Sequence, residues 1–180
     1  YLHHLGEVTY FSPLADTSLP DAGFVYLPGG YPELYLAALS ANRQMLQSIR
    51  RYVESGGKLL AECGGMMYLC DEIRDKNGYV YPMTGVLHQS ATMENMKLRL
   101  GYRTLLYNET RLKGHEFHYS RLVEQQNPLP SCAVAYTAKG VETDTPLYHY
   151  KNVWAGYTHL YWADPVGNEW FTKFVIDGNI

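Results

Sequence analysis

The stretch from Lys58 to Leu69 constrains this chain most: Leu59, Leu60 and Ala61 run into Glu62, Cys63, Gly64 and Gly65, and the apolar Met66, Met67, Tyr68 and Leu69 follow. Three consecutive apolar residues just after Gly56 and Gly57 suit a strand buried on both faces, the pattern of a parallel sheet covered by helices. The apolar run after the two glycines reads as a helix. Cys63 therefore stands at the carboxyl end of a strand and the amino end of a helix. Open α/β sheets carry their chemistry at that edge, and a sharp strand-to-helix turn exposes a nucleophile there. A helix N-terminus favours thiolate over thiol, and backbone N–H groups around such a turn can stabilise an oxyanion. A buried free cysteine packing as a small hydrophobe fits the same position. Position alone leaves both readings open.

The flanking segments supply a sheet for this turn. Tyr1 to Gly6 predicts the tail of a helix with Gly6 as its C-cap, and Val8 to Phe11 a short strand stopped by Ser12 and Pro13. Phe24 to Leu27 is a second apolar strand, ending in Pro28, Gly29, Gly30, Tyr31, Pro32 and Glu33. Glycines there place bare backbone amides at the sheet's carboxyl edge, although an isolated Pro-Gly-Gly is equally a plain turn. Pro32 suits a first helical position before Leu34, Tyr35, Ala38 and Leu39. Ser40 then predicts the cap of a longer helix with Met45, Leu46, Ile49, Tyr52 and Val53 as its stripe, closed by Gly56 and Gly57. The order β, β, α, β, α argues for an α/β fold: a mostly parallel sheet with helices on both faces.

The middle of the chain changes character. Met83 to Leu87, Lys97 to Tyr107, Cys132 to Tyr136 and Leu147 to Tyr150 are strand-like, and His115, Phe117 and Tyr119 alternate with Glu116, His118 and Ser120. These pieces predict extra antiparallel strands, as a patch or an added sheet edge. Val153 to Tyr157 is a strand that delivers His159, and Asp164 and Pro165 open a last helix with Phe171, Phe174 and Val175 inward and Gly178 past its end.

Composition excludes several classes of function. A net charge of -3 over 180 residues offers no basic surface for nucleic acid. No window approaches the ~20 apolar residues of a membrane span, and no signal-peptide pattern is present. Three cysteines without a C-x-x-C pair argue against disulfides or a zinc cage and suit a reducing cytoplasm. Cys70 and Cys132 read as structural. A nucleophilic thiol needs a base at a neighbouring strand's end, and seven histidines compete. His3 and His4 lie near the start, and His88 and His149 sit in turn-like or strand-edge contexts. Alternation sends His115 and His118 to opposite faces, with no third ligand, so no metal is assigned. His159 ends an apolar strand just before a loop and helix, the topological equivalent of Cys63's position; a satisfied core-edge histidine is the other reading.

Taken together, Pro28 to Tyr35, Ala61 to Leu69, Gly114 to Ser120 and Tyr157 to His159 resemble the glutamine amidotransferase domain of cobyrinic acid a,c-diamide synthases, within the class I cysteine amidotransferases. Cobyric acid synthases are the nearest competitor. Phe11 to Asp16 and Leu100 to Arg103 tilt the resemblance toward the former. It implies a flavodoxin-like fold and a single domain over residues 1–180 whose first strand lies before Tyr1, with the ATP- and Mg²⁺-dependent synthetase domain of the same polypeptide outside this chain. It also implies that Cys63 attacks glutamine, that His159 handles the proton, and that backbone amides of Gly29, Gly30 and Gly64 form an oxyanion hole. The ammonia would pass to a corrinoid acceptor, cobyrinic or hydrogenobyrinic acid. The domain itself needs no cofactor or metal under this resemblance. A non-catalytic interaction module with the same fold is the alternative of another class. Many class I amidotransferases carry a glutamate two residues after the histidine; here that residue is Tyr161, and Glu62, Glu116 and Asp164 all stand open as replacements.

Overall fold

The computed structural model describes residues 1–178. Its first elements correct three details of the sequence reading. Leu2–His4 form a single 3-10 turn closed by Leu5, so Gly6 caps no helix. Val8 to Phe11 form no strand: Phe11 packs against the core, while Tyr10 is left 83% exposed. After β1 (Phe24–Leu27), a 3-10 turn at Pro32–Leu34 leads to α1 (Leu36–Ala41) and α2 (Arg43–Glu54). Asn42, not Ser40, caps α2. Its carboxamide oxygen accepts from the Met45 amide at 3.3 Å, and its NH₂ donates to the Pro13 and Asp16 carbonyls at 2.8 Å, so one side chain both caps the helix and ties down the N-terminal loop.

β2 (Lys58–Glu62) runs through Cys63 into α3 (Gly64–Leu69). The carbonyls at the end of this short helix need partners. Amides of Thr84, Gly85, Val86 and Leu87 supply them, reaching the carbonyls of Tyr68, Cys70 and Leu69 at 2.9–3.2 Å. Met83 to Leu87 is thus a helix-capping coil and not the strand its apolar residues predict. The strands β3 (Glu72–Arg74), β4 (Val80–Pro82), β5 (Ser90–Thr92), β6 (Arg99–Tyr107), β7 (Thr110–His118), β8 (Arg121–Leu122), β9 (Val134–Thr137) and β10 (Glu142–Thr143) follow. The chain closes with β11 (Leu147–Tyr150), β12 (Val153–Gly156), β13 (His159–Leu160) and α4 (Pro165–Asp177), which ends at Gly178 with φ 77°.

The central sheet has the order β1-β2-β12-β11, with β1, β2 and β12 parallel and β11 antiparallel. Pleating divides its side chains between two cores. Val25, Leu27, Leu59, Ala61, Val153 and Ala155 pack with α2 and α3, whereas Phe24, Tyr26, Leu60 and Trp154 pack with Trp170, Phe171 and Phe174 of α4. Helices therefore cover both faces, as the apolar runs predict. Each large side chain buried this way contributes about 1.5–3 kcal/mol. The antiparallel part is larger than one patch. It makes a five-stranded sheet, β10-β9-β6-β7-β13, and a four-stranded sheet, β4-β3-β5-β8, in which β3 and β5 run parallel. Among the described residues no helix is long and apolar enough to cross a membrane.

One glycine lets α3 seat on the sheet. A Cβ at Gly65 would lie 2.2 Å from the Leu27 carbonyl oxygen and 2.8 Å from Leu27 Cβ, so β1 itself would have to move. Gly65→Ala is expected to destabilise the protein by about 3 kcal/mol, read as a lower denaturant midpoint in chemical unfolding. An unchanged midpoint would contradict this packing.

Candidate active site

Cys63 is held at the turn between β2 and α3 with φ 49° and ψ -108°, a conformation that L-residues adopt rarely. The strain is imposed from both sides: the Cys63 amide donates to the Gly156 carbonyl of β12 at 2.8 Å, and its carbonyl accepts from the Met67 amide at 3.0 Å. Strain of this kind costs on the order of 1–3 kcal/mol and concentrates at functional sites. The thiol is buried, 5% exposed, and its Sγ faces the Phe117 carbonyl at 3.9 Å. With six residues, α3 has only a small summed dipole, so the helix end alone activates the sulfur weakly.

The stronger influence is His159. Two residues separate it from the end of β12, which lies beside β2 with Gly156 opposite Glu62. It forms a hydrogen-bond contact with Cys63, which is the first reason its pKa is raised to about 9; contact with Glu62 is the second. The imidazole therefore carries a proton at neutral pH, beside the sulfur. The Gly29–Gly30 turn at the end of β1 presses on this pair. A Cβ at Gly29 would fall 2.2 Å from His159 Cε1, and one at Gly64 would fall 2.8 Å from the Gly30 carbonyl oxygen. Gly29, Gly30, Cys63, Gly64 and His159 are brought together in one place.

The three candidate carboxylates separate cleanly. Glu62 is 3% exposed, and its Oε2 lies 3.6 Å from His159 Nδ1. Glu116 instead pairs with the Arg103 guanidinium at 2.9 Å, and Asp164 accepts from Lys113 at 2.6 Å. Tyr161 is 58% exposed.

The alternation read over residues 115–120 is observed. His115, Phe117 and Tyr119 face outward, while Glu116, His118 and Ser120 are buried. His118 stacks on Tyr157 with ring centroids 3.8 Å apart, and Ser120 Oγ lies 3.1 Å from the Tyr157 hydroxyl. His118 and Ser120 share with Gly30, Glu33, Cys63 and Phe117 the wall of a cleft of about 20 Å³. A wider concavity of about 280 Å³ among Tyr10, Phe11 and residues 16–20 carries neither thiol nor imidazole. The other two thiols are placed differently. Cys70 is fully buried and desolvation pushes its pKa up, and burial pushes Cys132 up to about 11. Both stay protonated at neutral pH.

The CobB/CobQ-like glutamine amidotransferase domain family matches residues 2–166. The chain belongs to this family. It is 39% identical over 166 residues to a hydrogenobyrinate a,c-diamide synthase of Pseudomonas aeruginosa, covering 89% of this chain and 36% of that protein. It is 38% identical over 170 residues to a cobyrinate a,c-diamide synthase of Fusobacterium nucleatum, covering 89% and 37%. The chain thus spans little more than a third of the length of these relatives. A crystal structure of a glutamine amidotransferase superposes with a TM-score of 0.56 at 18% identity over 85% of this chain and 78% of that one. The structure of PurLQS from Thermotoga maritima gives 0.56 at 17% identity over 92% and 81%. Both likenesses support the same α/β fold.

Proposed function

We propose that the chain is a glutaminase domain that hydrolyses glutamine through a Cys63 thioester and delivers the ammonia to a synthetase domain of the same polypeptide. The contact between a strained, buried thiol and a protonated imidazole carries this reading. Having passed its proton to His159, Cys63 Sγ attacks the carboxamide carbon of glutamine. Charge developing on the oxygen is met by backbone N–H groups of Gly64 and the Gly29–Gly30 turn, each such donor worth roughly 3 kcal/mol. His159 gives its proton to the departing ammonia, then takes one from the water that releases glutamate. Glu33, whose carboxyl burial pushes up, stands on the cleft wall where it can receive the substrate's α-ammonium. Tyr31 and Tyr119 complete the wall of this cleft.

The relatives' names extend the proposal to the amidation of the a and c carboxylates of cobyrinic or hydrogenobyrinic acid, and three cysteines without a C-x-x-C pair fit the cytoplasm as its place. ATP and Mg²⁺ would serve that step outside this chain. The nearest approach to a phosphate loop here, Gly56-Gly57-Lys58, does not fit nucleotide: Lys58 Nζ donates to the Val175 and Ile176 carbonyls at the end of α4. The test is hydrolysis of glutamine in the presence of hydroxylamine. The expected result is equal release of ammonia and of glutamate plus γ-glutamyl hydroxamate, the hydroxamate reporting the thioester. Glutamate release with no hydroxamate at any hydroxylamine concentration would overturn the covalent route.

A further inference from the structure

The residue two places after the histidine is the exposed Tyr161, so His159 needs its orientation from elsewhere. We propose that Glu62, clamped by Tyr26, is the positioning residue that fixes the His159 imidazole against Cys63. The proposal rests on the glutamine-hydrolysis reading but is tested partly without it.

Strand geometry sets the arrangement. Glu62 precedes the nucleophile on β2, and the pleat sends its side chain to the face opposite Leu59 and Ala61, the face that carries Leu60 and Tyr26. Tyr26 on β1 is opposite Leu60, which makes it the diagonal neighbour of Glu62 on that face. Its hydroxyl donates to Glu62 Oε2 at 2.7 Å, and the Leu160 amide donates to Oε1 at 3.0 Å. Burial and the adjacent carboxylate push the Tyr26 phenol well above its ordinary range, so the phenol keeps its proton and acts as donor. Each carboxylate oxygen is thereby fixed by one donor, and Oε2 also faces His159 Nδ1 at 3.6 Å.

That contact selects the tautomer. A proton on Nδ1 aimed at Glu62 leaves Nε2 as the nitrogen that exchanges a proton with the sulfur and with ammonia. The other groups facing the imidazole are Cys63 from the turn after β2 and His115 of β7, stacked at a centroid distance of 5.1 Å. Neither His115 nor the glycine backbone at Gly29 offers a negative charge. The 3.6 Å separation is longer than a hydrogen bond, and catalytic contacts of this kind tighten when substrate binds.

Glu62→Gln keeps the shape and the acceptor for the Leu160 amide while removing the charge. The expected result is a fall of about 100-fold in kcat for glutamine hydrolysis with KM little changed. In an NMR titration the His159 midpoint should also drop from about 9 toward the ordinary histidine value. The titration needs no turnover, so it reads the positioning even if the chain hydrolyses no glutamine. Tyr26→Phe keeps the carboxylate but frees it to rotate. It should leave the midpoint high while kcat falls about tenfold, and it carries the test if Glu62→Gln does not fold. Wild-type kcat in both variants, or a His159 midpoint unmoved in folded Glu62→Gln, would overturn the proposal. A residue with a merely structural role would lower the melting temperature and leave the midpoint where it is.

Discussion

Cys63→Ala is expected to lower glutamate release from glutamine by at least about 10³-fold, because a nucleophile that forms the intermediate has no substitute among its neighbours. A second variant separates loss of chemistry from loss of fold. Cys63 holds φ 49° and ψ -108°, and Cys63→Gly relieves that strain where Cys63→Ala does not. The glycine variant should therefore be inactive yet melt higher than the alanine variant. A difference of about 1 kcal/mol corresponds to roughly 2–4 °C for a chain of this size. Calorimetry of the pair separates chemistry from stability. Equal glutaminase rates in wild type and Cys63→Ala would remove Cys63 from the mechanism.

Gly29→Ala carries the second largest effect and replaces neither Cys63 nor His159. The added methyl would sit 2.2 Å from His159 Cε1 and within 3.3 Å of both ring nitrogens, closer than any real contact. The Gly29 backbone belongs to the end of β1, while the imidazole hangs on one rotatable side chain, so the ring gives way. It then leaves both Cys63 and Glu62. A displacement of about 1 Å from productive geometry costs on the order of 100-fold in rate. We expect at least that loss in kcat, with a melting temperature close to wild type. Gly65→Ala makes the contrast: its methyl meets the Leu27 backbone and Cβ, which cannot swing aside, so its cost falls on folding. Wild-type kcat in Gly29→Ala would mean that His159 needs no contact with this turn.

The parts of the site legible from sequence were those fixed by position along strands. Apolar runs placed Cys63 and His159 at the carboxyl edge of one sheet, and β2 and β12 prove to be neighbours in register. The glycine turn after Leu27 was readable for the same reason. Glu62 was not distinguishable from Glu116 or Asp164, because the choice depends on which face of a pleat each occupies and on who already holds it. Arg103 and Lys113 claim the other two, and both contacts are long-range in sequence. Capping shows the same limit. Ser40 and Asn42 are both acceptable caps locally, and the N-terminal loop decides for Asn42. At residues 83–87 the apolar pattern correctly implied burial of Met83, Val86 and Leu87, but burial does not say where the backbone hydrogen bonds go. They go to α3 instead of a strand.

The proposed nucleophile is tested most directly by labelling with the glutamine analogue 6-diazo-5-oxo-norleucine, followed by intact-mass and peptide mass spectrometry. Cys70 is sealed in the core and burial keeps the Cys132 thiol protonated, so the three cysteines compete on unequal terms. A single adduct on Cys63, abolished by excess glutamine and lost in His159→Ala, is the expected result. A folded protein that leaves Cys63 unlabelled, or that carries the label on Cys132, would contradict the assignment.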